Sequence, residues 1–256
     1  MRIENSFIPV KGVGSKTELQ LWKSGVTHWD AFHRDAVGRK TGSRIEAFIE
    51  QASDRLDAGD ARYFGQVFPT QSHWRLYENF KDEACYLDIE TTGLSQDYHE
   101  VTVVSLHQAG QTTTLVRGID LTGERLNGML EDASLLVTFN GKQFDVPFLE
   151  AAYDIELNLP HIDLRYPCQR LGLVGGLKHI EATLGIDREE PDVDGYEAVR
   201  LWRAYERGDE EALDTLVRYN RDDTVNMEDL MEHVTNELHR EVFERALSSY
   251  QRTLER

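Results

Sequence analysis

The order of apolar segments after residue 84 is the feature that most constrains the fold. Short apolar runs bounded by turn residues or acids predict β-strands at 84–89, 101–107, 112–117, 135–139 and 161–164. Apolar residues at three- and four-residue spacing predict helices at 121–130, 144–153, 165–171, 177–184, 195–206 and 209–250. Three strands in succession, then helix–strand–helix–strand, predict an α/β domain with a mixed β-sheet flanked by helices.

The flanking residues define the predicted domain organisation. Residues 1–80 are predicted to form a small helical N-terminal region, because an apolar face recurs along residues 44–56. The α/β domain is placed at 82–235, and a C-terminal helix at 236–256.

A glycine-rich turn near the N-terminus leads directly into a predicted helix. Lys11 and Lys16 flank Gly12-Val13-Gly14, which resembles the second half of a helix–hairpin–helix element. Backbone amides at such a helix start can hold a phosphate, so one interpretation of residues 9–32 is nucleic-acid binding. The other is a turn that docks nearby aromatic side chains onto the rest of the chain.

The charge of the chain needs separate interpretation. Of its 256 residues, 46 are Asp or Glu and 28 are Lys or Arg, which gives a net charge of −18. This charge by itself opposes binding to nucleic acid. The cations are mostly arginine and the acids are spread evenly, a halophilic composition typical of a salt-rich cytoplasm, where screening shortens to about 3 Å at 1 M. An ordinary acidic protein is the alternative.

The sequence shows no sign of membrane insertion or export. No apolar run reaches the roughly 18 residues of a membrane span, and the first ten residues lack the apolar stretch of a signal peptide. Cys85 and Cys168 are too isolated for a zinc motif or a disulfide framework. We therefore predict a cytoplasmic protein without a membrane partner, and leave its oligomeric state open.

The first acidic motif ends the first predicted strand. Asp88 and Glu90 are two residues apart and precede the turn Thr91-Thr92-Gly93. Because strand side chains alternate between faces, both acids point the same way. Two carboxylates this close raise each other's pKa unless a cation neutralises them. The pair is either a divalent-metal site or two solvent-facing acids.

The second motif follows the strand at 135–139. Asn140-Gly141 leads into a helix whose first turn contains Asp145. The helix dipole stabilises an acid in this position, which explains Asp145 without any catalytic role.

The third motif lies within the long predicted helix that starts near residue 209. Tyr219 and Asp223 are four residues apart and share one face, whereas Asp222 is rotated about 100° away from Asp223. Packing at the rim of a buried helix is the alternative explanation of this pair.

In this order, the motifs resemble those of the DEDD superfamily of 3′–5′ exonucleases, which have a ribonuclease H-like fold. The D-x-E motif corresponds to Asp88 and Glu90, and the acid within N-x-x-x-F-D to Asp145. The Y-x-x-x-D motif of the tyrosine branch corresponds to Tyr219 and Asp223.

Further stretches of the sequence indicate one group within this superfamily. Residues 175–181, 184–186 and 219–220 are similar to the YprB-type ribonuclease H-like group, and the resemblance covers residues 82–235. Arg218 stands where the histidine branch of the superfamily would have its histidine.

The resemblance implies a 3′–5′ exonuclease that hydrolyses DNA or RNA from a free 3′ end by a two-metal mechanism. Two divalent cations, Mg²⁺ or Mn²⁺, would be bound by Asp88, Glu90, Asp145 and Asp223. Tyr219 would orient the attacking water and assist its deprotonation. The substrate would be contacted by Thr91 and Leu94 at the terminal nucleotide, and by Asn140 and Lys142 at phosphate or sugar.

Other functions stay open at this point. One is an endonuclease of the same fold that cuts RNA–DNA hybrids or branched DNA. Another is a non-catalytic nucleic-acid-binding module, although the presence of all four acids favours catalysis. A structural Ca²⁺ site is disfavoured because no D-x-D-x-D-G loop is present.

Overall fold

A computed structural model describes residues 1–248 of the chain, which divides into two compact units. One unit comprises Met1–Lys81 together with the described residues from His233 onward, and the other comprises Asp82–Glu232. The division falls inside one continuous helix. Residues 249–256, which include Tyr250 and the end of the predicted C-terminal helix, lie outside the described residues.

The first unit is helical. Its described residues contain no strand. Up to residue 81 they form helices α1 (Ser15–Lys23), α2 (Arg39–Asp57), α3 (Ala61–Val67) and α4 (Tyr77–Phe80) with several short 3₁₀ turns, and from His233 onward they include the end of a longer helix given below. A buried core with several aromatic side chains holds them together, among them Phe7, Trp22, Phe64 and Phe80. Helix α2 begins at Arg39, with Gly38 as its N-cap residue, and therefore starts five residues before the apolar face predicted at 44–56.

The glycine-rich turn precedes α1, as predicted, with Gly14 as the N-cap residue. The segment before it forms only a 3₁₀ turn, Ile3–Asn5, where a complete helix–hairpin–helix has a helix. Glu18, in the first turn of α1, is buried and accepts hydrogen bonds from the amides of Phe7 at 2.8 Å and Ile8 at 3.2 Å. Its carboxylate therefore faces inward and fixes the N-terminal segment, and phosphate binding at residues 9–32 stays a prediction.

The second unit is built on a five-stranded mixed sheet. Its strands are β1 (Ala84–Thr91), β2 (Val101–Gln108), β3 (Gln111–Val116), β4 (Leu135–Thr138) and β5 (His161–Asp163). Its helices are α5 (Gly123–Leu130), α6 (Asp145–Tyr153), α7 (Arg165–Arg170), α8 (Leu177–Leu184), α9 (Gly195–Tyr205) and the first part of α10 (Glu210–His239). A π-helical turn, Arg240–Glu244, follows α10.

The strand order is β3-β2-β1-β4-β5. The first three strands form an antiparallel meander, whereas β4 and β5 run parallel to β1. Crossovers through α5 and α6 produce the parallel pairs, as expected for strands joined by helices. The α/β class and the mixed sheet predicted from the sequence are confirmed.

Alternate residues of β1 belong to different layers. One apolar cluster joins one face of the sheet to α5 and α6, and from β1 it includes Cys85, Leu87 and Ile89. A second cluster joins the opposite face to α9 and α10, and includes Val103, Trp202 and Leu216. Because side chains alternate along a strand, Asp88 and Glu90 lie on the face that α9 and α10 cover.

None of the helices in the described part of the chain has the length and apolarity that crossing a lipid bilayer requires.

Candidate metal and catalytic site

The pair Asp88 and Glu90 meets the third sequence motif where α10 crosses the sheet. Glu90 pairs in register with Val103 on β2, and Val103 packs in the same cluster as Tyr219 of α10. The register shifts between Glu90 and Thr91, so a bulge lies directly beside this acid. Bulges bend a strand and redirect its side chains, and they recur near active sites.

Three acids from two elements share one small volume. Carboxylate oxygens of Asp88, Glu90 and Asp223 all lie within 4.8 Å of one another. Glu90 and Asp223 are buried, and Asp88 is partly exposed. Three hard oxygen donors at this separation match the preferences of a divalent cation such as Mg²⁺ or Mn²⁺.

Asp145 reaches the same place from a third element. Strand β4 pairs with β1 in parallel up to Tyr86 and Val137, so the residues that follow β4 run beside Asp88 and Glu90. Asp145 is buried at the first position of α6, and its carboxylate accepts a hydrogen bond from the backbone amide of Ile89. The amide between the two acids of β1 therefore holds the fourth acid.

The pKa values of the four carboxyls show how strongly they interact. Burial, with the charges of Asp223 and Asp145, raises the pKa of both Asp88 and Glu90 well above the ordinary range. Burial raises the pKa of Asp145 to about 7, and burial also raises that of Asp223. Buried acids that lie this close together stay protonated unless a cation is present to neutralise their carboxylates.

Tyr219 faces this group from α10, one turn before Asp223. Its side chain is buried, and it donates a hydrogen bond to Asp223. Burial, together with the charges of Asp223 and Glu90, raises the pKa of the phenol. In the metal-free protein the phenol is therefore protonated and available as a hydrogen-bond donor.

Asn220 belongs to a stretch similar to the YprB-type group, but no role was predicted for it, and it makes a contact in the site. Its Nδ2 donates to Oδ2 of Asp88 at 2.7 Å, and its side chain is fully buried. Its neighbour Tyr219 marked this turn of α10 as functional. The direction of the Asn220 side chain depends on how α10 packs on the sheet, which periodicity does not specify.

Arg188 and Glu181 were also missed. Arg188 lies in the segment between α8 and α9, and its guanidinium donates to both Glu181 and Asp223. Glu181 belongs to the stretch 175–181 that is similar to the YprB-type group, but no role was predicted for it, and Arg188 belongs to none of the motifs. Only the folded chain brings the three side chains together.

The predicted terminal-nucleotide contacts lie at the end of β1, where Thr91 is the last residue, and in the loop that follows. Leu94 is 86% exposed, and Tyr98 in the same loop is 85% exposed. The hydroxyl of Thr91 donates to the carbonyl of Gly93 at 2.7 Å, so this side chain closes the turn. A side chain at Gly93 would collide with the ring of His99, which explains the glycine.

The predicted phosphate contacts lie in a rigid loop between β4 and α6. Buried Asp163, at the end of β5, accepts hydrogen bonds from the amides of Asn140 at 2.7 Å and Lys142 at 3.2 Å. Asn140 has a left-handed φ of 68°, which asparagine tolerates better than most residues. Arg165 donates to its side-chain oxygen at 2.5 Å. Asp163 and Arg165 are further residues that sequence reasoning missed.

Comparison with protein families identifies the class of this unit. A family model described as RNase_H superfamily, RNase_H_2, matches residues 85–235. The chain belongs to the RNase_H superfamily. This match confirms the ribonuclease H-like fold class, is consistent with the predicted resemblance to DEDD exonucleases, and supports a nuclease, that is, a hydrolase acting on nucleic acid. A comparison with curated proteins found no match.

Solved structures give more distant likenesses. The family B DNA polymerase from the hyperthermophilic archaeon Pyrobaculum calidifontis is 14% identical with a TM-score of 0.46, over 57% of this chain and 24% of the polymerase chain. The present chain thus spans about a quarter of that polymerase. Brucella melitensis NrnC, whose structures include one bound to pGG and one with bound Mg²⁺, is 17% identical with a TM-score of 0.47, over 68% of this chain and 83% of NrnC. The assignment to the superfamily does not depend on these two likenesses.

The raised pKa of Asp145 predicts a pH dependence of the metal-free protein. A carboxyl with a pKa of about 7 when folded, against 3.8 for the unperturbed group, binds more protons in the folded state. Its contribution to stability is therefore present below about pH 4 and is lost as the pH rises through 7. We expect the Asp145→Asn variant to escape this loss, and to gain about 1–3 kcal/mol on the parent between pH 5 and pH 8.

Urea denaturation in the presence of chelator, at several pH values, measures this difference. Asp132→Asn, at an exposed acid in the same unit, is the matched control and should follow the parent. Parallel pH profiles for the parent and Asp145→Asn would contradict the prediction.

Proposed function

We propose that this protein is a metal-dependent 3′–5′ exonuclease that hydrolyses phosphodiester bonds of DNA or RNA from a free 3′ end. The observation that carries the proposal is the convergence of acids from three elements, β1, α6 and α10, on one pocket that also contains Tyr219. Superfamily membership supports the nuclease class, and the order of the motifs supports the exonuclease. A pocket designed only to bind nucleic acid would gain nothing from four clustered carboxyls, because they repel phosphate.

The residues of the pocket fit divalent cations. Asp88, Glu90 and Asp223 offer oxygens within 4.8 Å of one another, and Asp145 adds a fourth carboxylate beside them. We assign these four residues as the ligands of two cations, Mg²⁺ or Mn²⁺, since four negative charges balance two divalent ions. When bound, such cations supply positive charge opposite the phosphate oxygens on which negative charge builds during hydrolysis.

Tyr219 has the position and the protonation state to orient a water molecule. Its phenol lies beside Asp223 and is protonated, so it can donate a hydrogen bond toward the pocket. Water attacks phosphorus in line with the leaving oxygen, and the proton lost by water ends on that oxygen or in solvent. The raised pKa of Tyr219 favours a role in orientation over a role as the base that removes the proton.

The exposed side chains around the pocket suit a single strand. Leu94 and Tyr98 present flat apolar surfaces in the loop directly after the first acid pair, where a terminal base can stack. Lys142 and Arg165 lie on the loop fixed by Asp163, and neither forms an ion pair with a carboxylate among residues 1–248. They provide a local positive rim for phosphates on an otherwise acidic protein. Thr91 and Asn140 complete the proposed substrate contacts.

The central prediction concerns Asp88. We expect the parent to shorten 5′-labelled single strands of DNA or RNA from the 3′ end with Mg²⁺ or Mn²⁺, and to be inactive with chelator. Asp88→Asn should lower the rate by more than about 100-fold, because even residues behind metal ligands cost 10–100-fold. Asp132→Asn is the control and should keep the parent rate.

A circular strand and a strand with a blocked 3′ end separate the alternatives. Both should resist the parent enzyme, since neither has an accessible 3′ hydroxyl. Cleavage of the circle would identify an endonuclease instead. Metal-independent binding without turnover of any substrate would identify a binding module.

Tyr219 gives a second prediction. Tyr219→Phe removes the hydroxyl and keeps the ring in its buried position, so the fold and the carboxylates are preserved. We expect kcat to fall by about 10²–10⁴-fold, the range for a group that positions or transfers a proton. Mn²⁺ affinity, measured by calorimetry, should stay within about threefold. An unchanged kcat would remove Tyr219 from the reaction.

Lys142 gives a third prediction, on the binding of the strand. In chelator, where no turnover occurs, Lys142→Ala should weaken binding to all sequences alike. The slope of log K against log salt should become shallower by about 0.7, the value for one lost phosphate contact on a single strand. Arg207→Ala is the matched control, because Arg207 is exposed in the turn before α10, whose first residue Glu210 lies about 20 Å along the helix from Asp223. Equal slopes for all three proteins would exclude the contact.

A further inference from the structure

Arg188 is a buried cation inside the acidic pocket, and it is held by two carboxylates. Its side chain is 4% exposed, and its two terminal nitrogens donate separately to Glu181 and Asp223. The guanidinium carbon lies 5.4 Å from the centre of the Tyr219 ring. One side chain thus contacts both members of the third motif, Tyr219 and Asp223.

Its second partner, Glu181 on α8, is 0% exposed and has no role in metal binding. Removing two charges from water costs several kcal/mol per ion, and apolar side chains of similar volume often serve stability equally well. Stability alone therefore does not account for the Glu181–Arg188 pair. The pair does fix the direction of the guanidinium, since Glu181 holds one end while the other end reaches Asp223.

The segment that carries Arg188 is itself tied to α10. The carbonyl of Asp187 accepts from Asn226 at 3.1 Å, and the amide of Glu190 donates to Asp222 at 2.9 Å. Arg218 adds an ion pair with Glu190 at 2.6 Å. Arg188 thus sits in a segment attached to the helix on both sides of it. Such support is what holds a side chain within a fraction of an ångström of its working position.

We propose that Arg188 is a positioning residue, which orients the Asp223 carboxylate and the Tyr219 ring for the bound cations and the attacking water. Its contact is with Oδ1 of Asp223, and it thereby restricts the rotation of a carboxylate that also belongs to the cluster with Asp88 and Glu90. Its guanidinium lies over the Tyr219 ring within the range of a cation–π interaction, which favours one orientation of the phenol. The inference rests on the proposed nuclease function.

A direct contact with substrate phosphate is the competing role for an arginine here. Burial and double pairing oppose it, because turning Arg188 toward substrate would leave Glu181 charged, buried and without its partner. A third possible role is that of a simple positive charge. If Arg188 acted only in this way, its removal would raise the affinity of the site for a divalent cation instead of lowering it. Removing a cation makes the pocket more negative, and so strengthens its attraction for a divalent ion.

The test measures Mn²⁺ affinity by calorimetry and by the loss of the free-ion EPR signal, without nuclease turnover. Arg188→Met alone would leave the buried Glu181 carboxylate without its cation. The main variant is therefore the double substitution E181Q/R188M. We expect it to bind Mn²⁺ about 10–100-fold more weakly than the parent, as for other residues that hold a metal ligand in place. Glu181→Gln alone keeps a side-chain oxygen that accepts from Arg188, so the guanidinium stays directed at Asp223, and this variant should bind Mn²⁺ within about threefold of the parent.

Arg188→Lys provides a second route that preserves the charge. A single ammonium cannot donate to Glu181 and Asp223 from two separate nitrogens as the Arg188 guanidinium does. We expect a loss of about tenfold or more in Mn²⁺ affinity, and this cannot be attributed to a change in net charge. Circular dichroism and thermal unfolding establish that each variant is folded before its affinity is compared.

Steady-state kinetics on an end-labelled single strand supply the second readout. A positioning role lowers kcat by about 10–100-fold and leaves KM within about twofold, whereas a phosphate contact raises KM and makes the salt dependence shallower.

Unchanged or tighter Mn²⁺ binding by folded E181Q/R188M and R188K would overturn the inference about Arg188 while leaving the nuclease proposal intact. A parent that binds no Mn²⁺ would overturn both. A parent that binds Mn²⁺ without hydrolysing either nucleic acid would overturn the nuclease proposal and the part of the inference that concerns the attacking water.

Discussion

Repulsion among four carboxyls in one poorly hydrated pocket is the constraint on which the rest of this site depends. Two unit charges 4 Å apart repel by about 4 kcal/mol at an effective dielectric constant of 20, and here several such pairs coincide. Three of the acids have a specific donor within the protein. Asn220 donates to Asp88, the amide of Ile89 to Asp145, and Arg188 to Asp223. Glu90 has only the nearby charge of Arg188 to offset its neighbours. Since these donors offset only part of the repulsion, the metal-free pocket retains raised pKa values and an unmet attraction for cations.

The parts of this site that sequence predicted are those that local periodicity fixes. Alternation along a strand put Asp88 and Glu90 on one face, and four-residue spacing along a helix put Tyr219 beside Asp223. The strands and helices of residues 84–239 were predicted nearly to their ends because turn residues separate them clearly. The four candidate acids remain functional predictions, although the fold brings them together.

The supporting side chains escaped prediction because their positions depend on packing between distant segments. Asp163 supports the loop at Asn140 only because β5 pairs in register with β4, and that register is set by the whole sheet. Arg188 reaches Asp223 only because the segment after α8 attaches to α10 through hydrogen bonds that no spacing rule anticipates. In both cases a common residue type acquires its role from a contact more than 20 positions away in the chain. Sequence motifs identify the groups proposed to react, whereas the residues that orient those groups are found only in the folded structure.

The same distinction explains how a chain with a net charge of −18 can act on a polyanion. Net charge governs long-range encounter, and salt screens it within about 10 Å at 0.1 M. What a bound strand experiences is the local arrangement of charges, in which Lys142 and Arg165 form no ion pair with a carboxylate among residues 1–248, whereas Arg188 is buried and paired with Glu181 and Asp223. If Arg188 were free to pair with phosphate, it would compete with the cations that the acids are arranged to hold. Because Glu181 anchors it, Arg188 can orient Asp223 without taking the place of either the metal or the substrate.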